Sequence, residues 1–246
     1  MMNPISPERF DAVLFDLDGV LTATAKVHAA CWKRLFDEFL EERGKDTGEP
    51  LKPFDIGEDY KLYVDGKLRY EGVRSFLGSR GIDLPEGIPD DPPGNRTVCG
   101  LGNRKDAMVH EVLEAEGVDV YEGSVRLVEQ VRSRGIRTAV VSASKNCKAV
   151  LEAGRISDLF DQVVDGEVAE RLRLPGKPEP DTYLKAAERL GVFPERAVVV
   201  EDAISGVQAG RAGGFGLVIG VDRKGDPESL RQGGADIVVG DLSELV

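Results

Sequence analysis

Ala12-Val13-Leu14-Phe15-Asp16-Leu17-Asp18-Gly19-Val20 is the stretch on which the reading of the fold turns. Four consecutive apolar residues suit a strand buried on both faces, as in a parallel sheet. The run stops at two carboxylates, two positions apart, and a glycine. In an open α/β sheet, ligands bind outside the carboxyl ends of the strands. Asp16 and Asp18 therefore stand where such a fold does chemistry, and one can attack while the other handles protons. Two plainer readings compete. One is a turn whose Asp and Gly serve only backbone geometry. The other is a calcium loop, which fails because Val20 takes the next ligand place and no Glu closes the loop.

Further along the chain the apolar runs repeat. Thr138-Ala139-Val140-Val141, Gln162-Val163-Val164, Ala197-Val198-Val199-Val200, Leu217-Val218-Ile219 and Ile237-Val238-Val239 all read as strands. Helical segments lie among them. Ser124–Arg134 gathers Val125, Leu127, Val128 and Val131 on one face, and Asp181–Leu190 opens on a cap-like Asp181 and stops before Gly191. Alternating strand and helix predicts a doubly wound, mostly parallel α/β sheet. More than 110 residues separate the first two runs, too many for one crossover, so a domain is inserted there. The insert reads as mostly helical. Thr24–Glu42 sets Val27, Cys31, Leu35 and Phe39 at i+4 spacing, with Trp32, Phe36 and Leu40 beside them as a core stripe. Val73–Ser79 and Arg104–Glu116 are further helices, and Ile82–Asn95, with four prolines and several acids, is a loop. The boundaries place an α/β core at 1–23 and 117–246 and a cap at 24–116.

Composition narrows the classes. The 246 residues, 41% hydrophobic and 31% charged, match ordinary globular usage. Acids outnumber bases 44 to 32, a net charge of -12, which disfavours nucleic acid as a partner. An anionic small substrate is still allowed, because a few local cations override the net field. No apolar run approaches the ~20 residues of a membrane helix, and Met1–Phe10 has no apolar leader segment, so the expected location is cytoplasmic. Cys31, Cys99 and Cys147 form no CxxC, and only His28 and His110 add ring nitrogens. Neither a disulfide framework nor a zinc site is supported. Gly100-Leu101-Gly102 lacks the third glycine and the preceding strand of a dinucleotide fingerprint, and Gly176-Lys177 runs into proline instead of closing a phosphate loop.

The later strands also end in residues with chemistry. The second ends in Ser142-Ala143-Ser144-Lys145-Asn146, where a hydroxyl and free amides at a helix start can bind an anion. A plain helix cap with a solvated lysine is the alternative. Pro175-Gly176-Lys177-Pro178-Glu179-Pro180 holds a lysine in a proline-stiffened loop, and the fourth run ends in Glu201-Asp202, two acids able to ligate a hard cation. Together they fit one reaction. A carboxylate attacking a phosphate meets like charge, and two unit charges at ~4 Å repel by about 4 kcal/mol at an effective dielectric near 20. A divalent cation and a lysine remove that obstacle.

In this order, Asp16-x-Asp18, Ser142, Lys177 and Glu201-Asp202, the sequence resembles the haloacid dehalogenase superfamily of phosphoryl-transfer enzymes. Within it, Asp16–Ala25 followed by His28 and Trp32, Ser142–Asn146 and Gly176–Asp181 resemble the β-phosphoglucomutase subfamily. The resemblance implies a Rossmann-like core with a helical cap, Mg2+ as cofactor and a sugar phosphate as substrate. It implies Asp16 as the nucleophile that becomes an aspartyl phosphate, and Asp18 as general acid and base. Asp16, the Asp18 carbonyl, Glu201 and Asp202 would hold the metal. Ser142, the Ala143 amide and Lys177 would hold the transferring phosphate, Thr24 would stand at the hinge, and His28 would help position Asp18 on cap closure. Gly66-Lys67-Leu68-Arg69 resembles the loop whose arginine grips the distal phosphate, with Ser144, Lys145 and Asn146 sharing that site. Arg104-Lys105-Asp106 resembles the segment that gives a lysine to the sugar.

The implied reaction interconverts β-glucose 1-phosphate and glucose 6-phosphate through a 1,6-bisphosphate. Two alternatives are a sugar-phosphate phosphatase on the same core and an inactive member that only binds. Ala23 stands where the family often has an acid, and the cap is longer through Ile82–Asn95. The oligomeric expectation is a monomer or weak homo-oligomer, with no membrane and no nucleic acid as partner.

Overall fold

The structure, a computed structural model, describes residues 4–246; Met1–Asn3, at the start of the expected core, lie outside the described residues. All six apolar runs are strands: β1 (Ala12–Phe15), β2 (Arg137–Val141), β3 (Gln162–Val164), β4 (Ala197–Glu201), β5 (Leu217–Val221) and β6 (Ile237–Val239). They form one wholly parallel sheet in the order β3-β2-β1-β4-β5-β6. Phe15 at the end of β1 lies level with Val140 on β2 and Val200 on β4. The chain winds outward from β1 in one direction and from β4 in the other. The β1/β4 junction is therefore the topological switch point, where the carboxyl ends of the strands leave a crevice. Every residue of β1 and β4 is buried, which is why these strands read as unbroken apolar runs.

The helices, in chain order, are α1 (Ala25–Thr47), α2 (Arg69–Ser79), α3 (Val98–Glu116), α4 (Glu122–Ser133), α5 (Cys147–Ala153), α6 (Gly166–Leu172), α7 (Asp181–Leu190), α8 (Ile204–Ala212) and α9 (Pro227–Gly233). The chain forms two compact units. One gathers the described residues up to Thr24, Gly66–Leu68 and Val118–Val246; the other gathers Ala25–Asp65 and Arg69–Gly117. Among the described residues, no helix is long and apolar enough to cross a membrane.

In the sheet unit, α7 lays Tyr183, Ala186, Ala187 and Leu190 into the core with Leu14, Ala139 and Val199. Asp181 is the first helical residue rather than the cap, a place Pro180 takes, and Gly191 at φ 67° ends the helix. That left-handed geometry suits glycine.

The second unit packs α1, α2 and α3 around an aromatic cluster. Trp32 stacks on Phe36 with centroids 5.2 Å apart, and Phe36, Phe54 and Phe76 close the group. The Trp32, Phe36, Leu40 stripe is indeed core. Two helices begin earlier than their apolar periodicity suggests. Helix α2 starts at Arg69, and α3 starts at Val98, where the Thr97 hydroxyl accepts from the Gly100 amide at 2.9 Å. Gly100 and Gly102 have poor helix propensity, so the first turn of α3 reads as loop in the sequence. Helix α1 runs on to Thr47, its exposed side carrying the i,i+4 pairs Arg34–Glu38 and Lys45–Glu41.

Candidate active site

Asp16 follows the last residue of β1, and Glu201 is the last residue of β4, so the parallel register brings them to the same edge of the sheet. Lys177 reaches this edge from the loop before α7. Its ammonium donates to Asp16 Oδ1 at 2.6 Å and to Glu201 Oε1 at 2.5 Å, with the Val141 carbonyl at 3.3 Å. The Lys177 side chain is 2% exposed and Glu201 is fully buried. Oxygens of Asp16, Glu201 and Asp202 all lie within 4.8 Å of one another, a group able to hold a metal ion. Such hard carboxylate oxygens suit a hard divalent cation.

The charges explain why a cation fits. Two of the three buried carboxylates, Asp16 and Glu201, share one buried ammonium, and Lys224 approaches the third, at Asp202 Oδ2, at 3.4 Å. Burial pushes the Asp16 carboxyl well above its ordinary value, Lys177 pulls it back, and Glu201, Asp18 and Asp202 push it up again. Burial alone would lower the Lys177 ammonium, yet Asp16 and Glu201 outweigh it and hold the lysine charged, well above its usual range. A divalent cation would relieve the crowding of negative charge that Lys177 leaves.

Glu201 and Asp202, alike in the sequence, are placed differently. Glu201 Oε1 accepts from Lys177 and from the Tyr183 hydroxyl at 3.1 Å, and its Oε2 accepts from the Ala203 amide at 2.9 Å. Two glycines make room for these acids. A Cβ on Gly206 would overlap the Glu201 carboxylate, and one on Gly19, at φ 92°, would overlap that of Asp202. Tyr183, Gly206 and the Ala203 amide carry no motif in the sequence. The available signal for Tyr183 is its place six residues after Lys177, on the buried face of α7.

Asp18 sits in the turn after β1. The Thr24 hydroxyl donates to Asp18 Oδ1, and Thr22 and Thr24 hydroxyls lie 2.7 Å apart. The turn is pinned by Gly19 N to the Thr22 carbonyl at 2.7 Å, by the Ser124 hydroxyl to the Val20 carbonyl at 2.6 Å, and by Arg223 Nε to the Gly19 carbonyl at 2.9 Å. Arg223 in turn stacks on Tyr121 at 3.8 Å, a support the sequence did not announce.

Ser142 is 2% exposed at the end of β2, beside the carbonyl that Lys177 touches. Its hydroxyl accepts from the Ser144 amide at 3.1 Å, and the Ser144 hydroxyl accepts from the Asn146 amide at 3.1 Å. This hydroxyl-lined turn leads directly into α5, whose N-cap is Asn146 and whose first residue is Cys147. Gly166 lets α6 approach it, since a Cβ there would lie 2.7 Å from the Ala143 carbonyl. Lys145 reaches Glu170 at 2.7 Å.

Gly66, at φ 71°, belongs to the sheet unit, where a Cβ would crowd the Ser205 hydroxyl. Three expected residues belong to the second unit. Arg69 opens α2 and pairs through Nη1 with Asp106 Oδ2 at 2.6 Å. Its Nε is buried with no hydrogen-bond partner. Lys105 is buried over the Trp32 ring at 5.1 Å, with its ammonium 2.5 Å from His28 Nδ1. An ammonium can only donate, so a charged Lys105 takes His28 Nδ1 as its acceptor.

Comparison with known proteins agrees with this geometry. The profile of the family described as haloacid dehalogenase-like hydrolase matches residues 10–214. A β-phosphoglucomutase of Mycobacterium bovis is 51% identical over 243 residues, covering 98% of this chain and 93% of the relative. An uncharacterized glycosyl hydrolase of Mycobacterium tuberculosis is 38% identical over 96% of this chain, but the match spans only 17% of that longer protein. Among solved structures, β-phosphoglucomutase from Clostridium difficile superposes with a TM-score of 0.75 at 26% identity, over 96% of this chain and 93% of that one.

Proposed function

The chain belongs to the haloacid dehalogenase-like hydrolase family, and from that premise we propose that it is a β-phosphoglucomutase, converting β-glucose 1-phosphate to glucose 6-phosphate through β-glucose 1,6-bisphosphate. The observation that carries the chemistry is the buried Asp16–Lys177–Glu201 cluster beside Asp18 at the sheet's switch point. The 51% identity along nearly the whole of both chains carries the substrate.

Asp16 attacks the phosphorus of the bisphosphate, forming an aspartyl phosphate as the bond to the sugar oxygen breaks. Asp18 gives its proton to that departing oxygen and later takes one from the sugar hydroxyl that attacks the aspartyl phosphate. Thr24, donating to Asp18 Oδ1, holds that carboxyl in place. Ser142, the Ala143 amide and Lys177 receive the transferring group's oxygens, and Lys177 offsets the like charge of nucleophile and phosphate. The donor set suits Mg2+, held by Asp16, Asp202 and the Asp18 carbonyl; it would supply charge neutralisation for the phosphoryl group. Glu201 has one acceptor place left, on Oε2, so its share in the metal is secondary to its grip on Lys177.

Arg69 and Lys105 bind the part of the substrate that does not react. Arg69 suits the second phosphate because it already has a buried donor without an acceptor. In the sheet unit, Ser144, Lys145 and Asn146 on the β2 turn, with Gly66, are assigned to substrate binding as well. His28 is assigned a positioning role beside Lys105.

The test supplies β-glucose 1-phosphate with trace 1,6-bisphosphate and follows glucose 6-phosphate and free phosphate separately. The expected result is glucose 6-phosphate formed much faster than phosphate, with the α-anomer a poor substrate. Release of phosphate as fast as substrate disappears, with no glucose 6-phosphate, would make the protein a phosphatase instead.

A further inference from the structure

Three features of the second unit are left over from this reaction: the acidic, proline-rich loop at 82–97, the Gly100-Leu101-Gly102 sequence, and Asn103. They meet at one place. The Val98 and Cys99 amides donate to the Pro85 and Glu86 carbonyls at 3.0 Å, folding the loop back over the start of α3. Asp91 Oδ2 accepts from the Thr97 hydroxyl at 2.6 Å and from the Ile88 amide at 3.3 Å. A Cβ on Gly100 would collide with the Asn95 backbone, and one on Gly102 would lie 2.6 Å from the Tyr70 ring. The two glycines thus let the loop and Tyr70 close on α3.

Asn103 joins them. Its Nδ2 donates to the Pro89 carbonyl at 2.9 Å and to the Asp91 carbonyl at 2.8 Å. With both amide protons directed at carbonyls, the orientation of the side chain is fixed. Its Oδ1 then accepts the Tyr70 hydroxyl at 2.9 Å. The Arg69 guanidinium lies 5.1 Å from the Tyr70 ring centroid. Asp106, three residues beyond Asn103 on α3, holds Arg69 Nη1 on its other flank.

We propose that the 82–97 loop, acting through Asn103 and Tyr70, is a positioning device for Arg69, and so tunes recognition of a sugar phosphate's non-reacting phosphate. The inference rests on the reading above that Arg69 binds that phosphate. An arginine on a free surface loses its rotamer freedom when an anion binds, and that loss weakens affinity. Here the ring and the carboxylate restrict the side chain beforehand, and Nε is the donor left without a partner. Asn103 and Tyr70 are positioning residues that act through Arg69. The extra length of the loop serves to reach Asn103 with two carbonyls.

The test compares Asn103→Ala, Tyr70→Phe, Arg69→Ala and the Arg69→Ala/Asn103→Ala double variant in the full chain. KM and kcat are measured for β-glucose 1-phosphate with bisphosphate present, and for hydrolysis of p-nitrophenyl phosphate, which has no second phosphate. Misplacing a binding group by a fraction of an ångström commonly costs on the order of tenfold. Asn103→Ala and Tyr70→Phe should each raise the sugar-phosphate KM by about that factor, and do so far more than they alter the aryl phosphate reaction. In the double variant, Asn103→Ala should add nothing to the loss caused by Arg69→Ala. Tyr70→Phe removes one hydroxyl and keeps the ring, so it remains informative if Asn103→Ala folds poorly. A normal KM in both single variants beside a damaged Arg69→Ala would overturn the positioning role alone, as would losses that multiply in the double variant. A normal KM in Arg69→Ala would overturn that role together with the distal-phosphate reading.

Discussion

Replacing Lys177 with methionine keeps the bulk of the side chain and deletes its charge. In the native protein that ammonium lies 2.6 Å from Asp16 and 2.5 Å from Glu201, and the three side chains are 2%, 9% and 0% exposed. Without it, two carboxylates face each other where water cannot reach them. Removing one partner of a buried ion pair costs about 3–5 kcal/mol, a large part of the roughly 5–15 kcal/mol that holds a typical protein folded. The cost should also depend on pH. Burial, with Glu201, Asp18 and Asp202, already raises the Asp16 carboxyl against the pull of Lys177, and the variant removes that pull. A carboxyl whose folded pKa exceeds its unfolded value of about 4 binds more protons in the native state, so stability is lost as pH rises through the folded pKa. The gap between wild type and Lys177→Met should therefore be narrow near pH 5 and wide near pH 8. Adding Glu201→Gln should restore much of the stability at high pH, because exchanging a whole buried pair for neutral groups is close to neutral. It should restore no activity. Urea unfolding followed by circular dichroism, in chelator at both pH values, reads the stability, and the sugar-phosphate assay reads the chemistry. A Lys177→Met protein as stable as wild type at pH 8 would refute the account of the cluster, and an active one would refute the role given to the lysine.

Asp16→Asn keeps size and removes the attacking charge, so turnover and acid-stable phosphate labelling of the protein should both vanish while the circular dichroism spectrum is kept; residual labelling would mean another nucleophile. Chelation should abolish activity reversibly, magnesium should restore it, and calcium should restore it poorly because its longer, looser coordination misplaces the phosphate; full activity in chelator would contradict the metal role of Asp16 and Asp202. Cys31, Cys99 and Cys147 are all buried and unpaired with one another, and burial raises each thiol, that of Cys147 most strongly. A thiol-reactive dye at neutral pH should therefore modify the native protein slowly and reach three thiols only in denaturant.

The sheet was legible because its strands are buried on both faces, and burial on both faces leaves an unbroken apolar run. Three of the runs also stop at residues with chemistry, which is why Asp16, Ser142 and Glu201 could be picked out before any geometry was known, while Lys177 stood out by its proline-stiffened loop. What the linear pattern misses is set by contacts across the chain. Tyr183 looks like one more core aromatic until its hydroxyl is found on Glu201. Gly206 looks like a poor helix residue until a side chain there is seen to overlap a carboxylate. The early start of α3 is hidden because Thr97, Pro85 and Glu86 satisfy its first amides, and such capping leaves no apolar period to read.

The adjacent acids at the end of β4 show how much such contacts decide. Residues next to each other on a strand point to opposite faces, so an acid pair at a strand end need not act as a pair. Glu201, the last strand residue, is met by three donors from its own unit, Lys177, Tyr183 and the Ala203 amide. Asp202, one step into the loop, lies against the Gly19 turn and is approached by Lys224. A carboxylate that already accepts from three of the chain's own donors is suited to hold a lysine still while charge moves nearby. One whose neighbour is a partly exposed lysine on a loop can exchange that cation for a metal at less cost. The division also accounts for the glycines: Gly206 gives Glu201 a fixed seat, and Gly19 gives Asp202 room next to the backbone that carries Asp18. Asp16 and Glu201 thus meet at one lysine, with Asp202 beside them, and it is the parallel register of β1 and β4, not the spacing of any motif, that brings them within reach of each other.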